Sequence, residues 1–440
     1  MTKVARDGDC WERATLGSLC TRLTDGSHFS PSPQTYGQPI ANVKDIGDGY
    51  VDLDSCTKIT DEAFAQLETA DSLISTGDVL LSKDGTIGRV VVYEQSETIG
   101  ALSSICIMRP GGRIDRRFLG HALQSADFTR QIDNAVSGSA LRRLILRSIT
   151  ALEVSVPPLL EQRHIAEILD TANEAIYKTE RVIAKLREMK RGLLRDLLTR
   201  GVDENGDLRD PELNPEQFKD SPLGLLPSLW DVRTIERLLA DVNPAMRSGP
   251  FGSALLKSEL ASEGVPLLGI DNVQVEQFVA EYIRFVRPEK AVELSRYLVR
   301  PRDVMITIMG TVGRCCVVPN DVGEALSSKH VWTLTFDEAL YSPFLACLQF
   351  NYAPWVLSHF ARDAQGGIMS AIRSETLRAT MLPVPPRYEQ DAIEAVLREA
   401  QKRLESESLT LEKLKLVKKG LMDDLLTGRV RVPVSEEVAA

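Results

Sequence analysis

The sequence predicts an α+β protein: two related globular domains separated by an antiparallel coiled coil of two long helices, with pseudo-twofold symmetry. Three observations predict it. The chain repeats itself at an offset close to 228 residues. Each half opens with roughly 150 residues of short apolar runs broken by glycine turns. Each half closes with a stretch of about 40 residues whose apolar positions recur at steps of three and four, the mark of one helix face.

The duplication keeps its order along the whole chain. Pro157–Pro158 correspond to Pro385–Pro386, and Glu161–Gln162 to Glu389–Gln390, at the same offset of 228. "KRGLLRDLLT" from Lys190 is answered by "KKGLMDDLLT" from Lys418. Upstream, "GDVLLSKDGTIGRVVV" (77–92) is similar to "RDVMITIMGTVGRCCVV" (302–318). Asp78, Gly85, Thr86, Gly88 and Arg89 thereby meet Asp303, Gly310, Thr311, Gly313 and Arg314. Trp11 and Thr15 meet Trp230 and Thr234, and "ALSS" recurs from 101 at 325. Offsets drift only from 219 to 228, so insertions are few. A period this long lies far above those of solenoid repeats, and the chain reads as a tandem duplication.

Runs such as "DVLLS", "RVVVY", "SICIM" and "DVMITI" are strand-like and end at glycines. Helical patterns such as "RRFLGHALQSADFTRQI" fall between them. Mixed in this way, they make each globular part a compact α+β domain. The boundaries are a first globular domain over 1–156, a first spacer helix over 157–200 and an acidic linker over 201–224. A second globular domain over 225–384, a second spacer helix over 385–428 and a tail over 429–440 follow.

The long helices share a register. In the first, Ile165, Leu169, Ala172, Ile176, Ile183, Leu186, Met189, Leu193 and Leu197 form the stripe. In the second, Ile393, Leu397, Ala400, Leu404, Leu411, Leu414, Val417, Leu421 and Leu425 take the counterpart positions. Both stripes skip at one matching place, Thr179 and Glu407. A helix of about 40 residues is about 60 Å long. Its one-sided apolar stripe needs a partner, and the sister helix is the simplest one. Because each helix follows its own globular domain, an antiparallel pair puts the domains at opposite ends of a rod. A parallel pair would need the second domain to reach back along the rod's length. The proline pairs launch the helices and Gly201 and Gly428 stand where C-terminal glycines belong.

Composition narrows the function. The 440 residues are 43% hydrophobic and 26% charged, an ordinary soluble balance. No run of about 18 apolar residues occurs, and "MTKVARDGDCWERATL" lacks the layout of a signal peptide. A cytoplasmic protein without a membrane partner is expected. Seven cysteines include no C-x-x-C pair, so neither a zinc ribbon nor a disulfide framework is expected, and Cys315–Cys316 in "RCCVV" read as core residues. The net charge of −10 opposes a nucleic-acid partner, but the segment from Gly201 to Gly224 alone carries seven acids and two bases. The rest is near balance and leaves room for local basic faces.

Taken together, "VPPLLEQRHIAEIL" and "LPVPPRYEQDAIEAVL", the endings "GLLRDLLT" and "GLMDDLLT", "TDGSHFSP" (24–31), "SGPFGSALL" (248–256) and the paired "GTIGR" and "GTVGR" carry a resemblance. The chain resembles the specificity (S) subunit of type I restriction–modification systems over essentially its full length. The resemblance implies that each globular part is a target recognition domain reading one half of a split, asymmetric double-stranded DNA sequence. It implies helices that fix the unread gap and dock two adenine-N6 methyltransferase subunits, to which motor-nuclease subunits can be added. It also implies a subunit without chemistry: S-adenosylmethionine, and ATP with Mg where a nuclease is present, are cofactors of the partners. Independently of the family, a pseudo-symmetric protein with two readers matches a two-part site on one duplex face.

Candidate DNA contacts follow from residue type. The loops before each long helix, "SGSALRRLILRS" (137–148) and "QGGIMSAIRSE" (365–375), align at Gly138 and Gly366. They offer Arg142, Arg143, Arg147 and Arg373, whose guanidinium groups suit phosphate or guanine. The competing reading is a turn followed by a solvated helix face. Lys83, Arg89 and Arg314 flank the paired "GTIGR" and "GTVGR" runs, where a hairpin turn explains the glycines without DNA. His28 sits in an exposed-looking loop, and Lys329 and His330 precede a strand. Lys44, Arg247 and Lys257 complete the set.

Two other readings compete. A self-contained nuclease or methyltransferase lacks support: there is no phosphate-binding G-x-x-x-x-G-K-[ST], and "NPAM" (243–246) lacks the second proline and aromatic of a methyltransferase motif. A protein-binding coiled-coil scaffold fits the acidic balance but leaves the duplicated globular domains without a purpose. No metal ligand set is expected.

Overall fold

The computed structural model describes residues 11–47, 49–136, 143–364 and 372–433. Two compact units emerge: Met1–Arg181 with Ser408–Ala440, and Val182–Glu407. Each is α+β, and each holds one half of both long helices.

In the first unit the strands are β1 (Glu12–Thr15), β2 (Cys20–Asp25), β3 (Gln38–Ala41), β4 (Thr57–Ile59), β5 (Leu73–Ile74), β6 (Val79–Ser82), β7 (Val90–Val92), β8 (Ile99–Ala101), β9 (Ile105–Pro110) and β10 (Glu153–Val156). They form two four-stranded sheets, β2-β9-β6-β7 and β4-β3-β8-β5, and a ribbon of β1 with β10. The central strand β6 is buried along its whole length, which explains its unbroken apolar spelling. Successive residues serve opposite faces. Val79 and Leu81 join Cys106, Met108, Phe118 and Phe128 in one core, whereas Leu80 joins Ile46, Ile74, Tyr93 and Ile107 in another. The first of these cores also takes in Ile165, Ala166 and Leu169 from the start of the first long helix, Leu159–Thr199, and Leu425 and Leu426 from the end of the second, Arg387–Leu425, and just beyond.

The second unit repeats the plan. Its strands are β11 (Phe218–Ser221), β12 (Gly224–Pro227), β13 (Asp231–Thr234), β14 (Met246–Ser248), β15 (Leu260–Ala261), β16 (Val265–Leu268), β17 (Phe285–Val286), β18 (Val304–Thr307), β19 (Cys315–Val317), β20 (Leu326–Ser327), β21 (Val331–Leu334) and β22 (Met381–Val384). Sheet β14-β21-β18-β19 answers β2-β9-β6-β7, and the ribbon β13-β22 answers β1-β10. Cys315 and Cys316 face opposite cores, as neighbours on a strand must. Burial pushes both thiols well above their usual pKa, so they behave as small apolar side chains.

Within each unit the long helices pair antiparallel. In the first, the beginning of one packs with the end of the other, and Glu180 meets Lys415 at 2.8 Å. In the second, Leu194, Leu197 and Leu198 share a core with Ile393 and Leu397. The expected seam is largely the observed one. Ile165, Leu169, Ile183, Leu186, Leu197, Ile393, Leu397, Ala400 and Leu425 are buried. Ala172, Ile176, Leu193, Leu404, Leu411, Leu414 and Leu421 are half-buried.

Met189 and Val417, expected in the seam, are exposed at 47% and 56%. The next residues replace them: Lys190 is buried and Lys418 half-buried. Stepping by four from Leu186 to Lys190 and Leu194 follows the 3.6-residue turn, whereas a further step of three would drift off the face. That both copies shift at the same position is the duplication expressed in packing.

The segment expected as an acidic linker is folded. Asp203 accepts from the Asn205 and Asp207 amides at 2.8 and 2.9 Å, Val202 bridges Leu208, and β11 and β12 close a hairpin. Its acids cap turns, which is why they cluster there.

Candidate nucleic-acid interface

Two repeated polar anchors hold the frame on which exposed loops sit. The first is a buried carboxylate beside the central sheet of each unit. Asp78 is fully buried and takes both Arg109 Nε at 2.8 Å and Nη2 at 3.0 Å. Its counterpart Asp303 pairs with Arg247 and accepts from Thr335 Oγ1 at 2.6 Å and the Arg300 amide at 2.6 Å.

The second anchor is the Glu–Gln pair that follows each double proline. Gln162 is fully buried; its Oε1 accepts from the Asp115 amide at 2.7 Å, and its Nε2 donates to the Arg113 and Pro157 carbonyls at 3.0 and 2.8 Å. Gln390 does the same to the Ser342 amide and to the Leu340 and Pro385 carbonyls. Glu161 is gripped by Arg431 through two 2.8 Å contacts, and Glu389 by Arg209 and the Val202 amide at 2.9 Å. The segment that leaves the end of one long helix thus binds the root of the other. Sequence reasoning assigned no role to these pairs, although their exact recurrence after the prolines was the available signal.

The candidate contacts divide into internal and exposed residues. Arg247 leaves the set: it is 3% exposed, bound to Asp303, and donates through Nε to the Leu298 carbonyl at 2.7 Å. Burial lowers its pKa to about 10, against the pull of Asp303. Lys83 leaves it too, being 1% exposed with Nζ 3.1 Å from Asp25. Neither cation can meet a phosphate without breaking its ion pair, with fully buried Asp303 for Arg247 and half-buried Asp25 for Lys83.

Arg89 and Arg314 are half-buried braces. Arg89 Nη1 donates to the Ile46 carbonyl at 2.6 Å, and Arg314 Nη1 to Gln274 Oε1 at 2.7 Å. Both support the same small hairpin in their units, residues 46–51 and 273–278. The glycines beside them serve the turn, since Gly85 and Gly310 have φ of +70° and +73°.

The exposed members remain. His28, Lys44, Arg143 and Arg147 lie on the surface of the first unit, and Lys257, Lys329 and Arg373 on that of the second. Arg143 is tethered to Asp84 at 3.0 Å. His330 is half-buried, and burial, Lys329 and Arg284 lower its pKa, which favours the neutral ring. Arg142, Gly138 and Gly366 lie outside the described residues. Three exposed aromatics accompany the basic residues: Phe29 and Tyr36 follow β2, and Phe251 follows β14 at the equivalent place. The isolated aromatics in Gly- and Pro-rich loops were the sequence signal for them. In each unit they put exposed donors and apolar edges on loops beside the sheets, side-chain types that suit contact with nucleic acid. Among the described residues no cluster of three metal-ligating side chains occurs, and no helix is long and apolar enough to cross a membrane.

Known proteins share these features. Residues 11–188 match the family model described as the type I restriction modification DNA specificity domain. A sequence named as the MjaX type I restriction enzyme specificity subunit of Methanocaldococcus jannaschii is 25% identical over 98% of this chain and 96% of its own length. The MjaVIII specificity subunit of the same organism is 23% identical over 90% of this chain and 89% of its own. Over nearly its whole length the chain is similar to type I specificity subunits, and the family model covers its first part. The fold is shared with the crystal structure of the type I restriction-modification S subunit from M. genitalium. That chain is 15% identical, the match covers 98% of this chain and 99% of that one, and the TM-score is 0.57. A chain solved in a study of type I R-M complex assembly matches with 17% identity and a TM-score of 0.55, over 97% of this chain and all of that one. Between the two units of this chain, the buried anchors recur while the exposed loops differ.

Proposed function

We propose that this chain is the DNA sequence-recognition subunit of a type I restriction–modification complex. It reads a two-part, asymmetric target and directs adenine-N6 methyltransferase subunits to it, with motor-nuclease subunits in the restriction form. The chain itself does no chemistry, and S-adenosylmethionine, ATP and Mg belong to the partners. One observation carries the reading beyond the similarity to specificity subunits. The two units keep the same buried anchors, Asp78 and Asp303, Glu161 and Glu389, Gln162 and Gln390, while their exposed loops differ residue by residue. His28, Phe29 and Tyr36 stand in one, and Phe251 and Lys257 in the other. A shared frame with unlike faces suits two unlike half-sites.

The test is to express the chain with its modification subunit and map methylated adenines across the host genome. The expected result is a motif of two different half-sequences separated by a fixed unread gap. A single contiguous motif overturns the reading. Binding of the complex to duplex DNA should also weaken steeply with salt, as phosphate neutralisation requires.

A further inference from the structure

A cleft of about 650 Å³ opens in the first unit, at the end of sheet β2-β9-β6-β7 away from the loops that carry His28 and Arg143. Strand β6 runs between the two places. Asp78, just before it, holds Arg109 in the cleft lining, and Asp84, beyond its far end, holds Arg143. At about 3.3 Å per residue the two places are on the order of 20 Å apart. Four arginines line the cleft, Arg109, Arg116, Arg117 and Arg163, in a chain whose net charge is −10.

The four are not alike. Arg109 is committed to Asp78 through two hydrogen bonds, and Arg117 meets Asp170 at 3.3 Å. Arg116 and Arg163 are exposed, and neither makes a hydrogen bond among the described residues. Arg116 has one carboxylate near it, Glu94 at 3.9 Å, whose side chain is 62% exposed and free to face water. Asp115, the other acid of the lining, accepts from the Arg117 and Phe118 amides at 2.9 and 3.1 Å. Two guanidinium forks are thus left open in one concavity. Bare backbone leaves room beside them: a Cβ at Gly112 would meet nothing within 4 Å, and one at Gly77 would lie 3.2 Å from Arg116 Nη1.

The second unit shows that the fold does not need these arginines. Its anchors fix the correspondence, Asp78 with Asp303, Gln162 with Gln390, and the amide that each glutamine holds, Asp115 with Ser342. Arg109 then answers to Thr335, Arg116 to Pro343, Arg117 to Phe344 and Arg163 to Asp391. One frame is built once with four cations and once with none. Like charges gathered in one place repel, so a set that packing does not require calls for a bound anion. Guanidinium forks pair bidentately with phosphate oxygens. Two forks on different helices, Arg116–Ala122 and Leu159–Thr199, suit a tetrahedral group better than a planar carboxylate.

We propose that this cleft is a phosphate-binding site. Arg116 and Arg163 ligate the anion, and Arg109 and Arg117, tied to Asp78 and Asp170, add their field. A duplex backbone and a free polyphosphate present the same chemistry, and the test separates them.

The full chain with its modification subunit is titrated with sodium tripolyphosphate by calorimetry and with duplex DNA across a salt series, for wild type, R116A/R163A and R116K/R163K. Wild type should bind tripolyphosphate, and R116A/R163A should weaken it about tenfold or more, as loss of charge-assisted hydrogen bonds requires. R116K/R163K keeps the charge without the forks and should recover only part. A duplex source lowers the salt slope of DNA binding by about 2 in R116A/R163A, one per contact, whereas a free polyphosphate leaves the slope unchanged. Both side chains are exposed, so Tm should not move; should it move, R163A alone reads the same loss at smaller size. Tripolyphosphate binding that is equal in wild type and variants, or absent from all, together with an unchanged salt slope overturns the site. A wild-type complex that ignores duplex DNA overturns the functional reading and leaves the tripolyphosphate titration to decide the site, so the two fail separately.

Discussion

Truncation of Glu389 to alanine measures how tightly the root of the second long helix is held. Glu389 is fully buried, and Arg209, its partner, is 6% exposed. The carboxylate also accepts from the Val202 amide at 2.9 Å. Removing it leaves a guanidinium and an N–H in the interior with no replacement. Breaking a buried pair in this way costs about 3–5 kcal/mol. For a unit of this size each kcal/mol lowers Tm by about 2–4 °C, so E389A should melt on the order of 10 °C lower. The counterpart gives an internal control. Arg431 is 42% exposed beside Glu161 and can turn to water, so E161A should cost about 1 kcal/mol. Scanning calorimetry of both variants, with the double replacement E389L/R209L, completes the comparison. The double variant should recover most of the loss, because an apolar pair leaves no charge stranded. An E161A loss equal to or larger than that of E389A, or a double variant as unstable as the single one, refutes the reasoning.

Other outcomes follow from the same geometry. Leu186→Asp puts a charge into a seam position only 7% exposed and should cost several kcal/mol, whereas Met189→Asp, three residues on at 47% exposure, should be nearly neutral in thermal melts. Gly201→Ala should destabilise more than Gly428→Ala. A Cβ at Gly201 would lie 2.0 Å from Glu389 Oε1 and 2.5 Å from Trp230, while at Gly428 the nearest atom is Trp11 at 3.4 Å; equal melting shifts would count against this. Arg147→Ala and Lys329→Ala should each reduce the salt slope of DNA binding by about 1 without changing Tm. Arg247→Met should lower Tm, since it strands Asp303, and a normal Tm for that variant would place Arg247 outside the core.

Much of this architecture was written in the order of residues. The duplication, the two long helices and most of the seam follow from repetition and from the spacing of apolar side chains, which are local and periodic quantities. Glycines at 85 and 310 announced their hairpin for the same reason. What the order of residues could not state is which charged groups meet across long separations. Arg247 and Lys83 look like Arg147 and Lys329 in a one-dimensional reading, and only folding shows the first two beside Asp303 and Asp25. Glu161 and Glu389 are separated from their arginines by 270 and 180 residues. Glu276 and its buried partner Lys190 lie 86 residues apart. A charge is worth little on a wet surface and much in a dry interior, and the chain's path through space, not its spelling, decides which of these each one occupies.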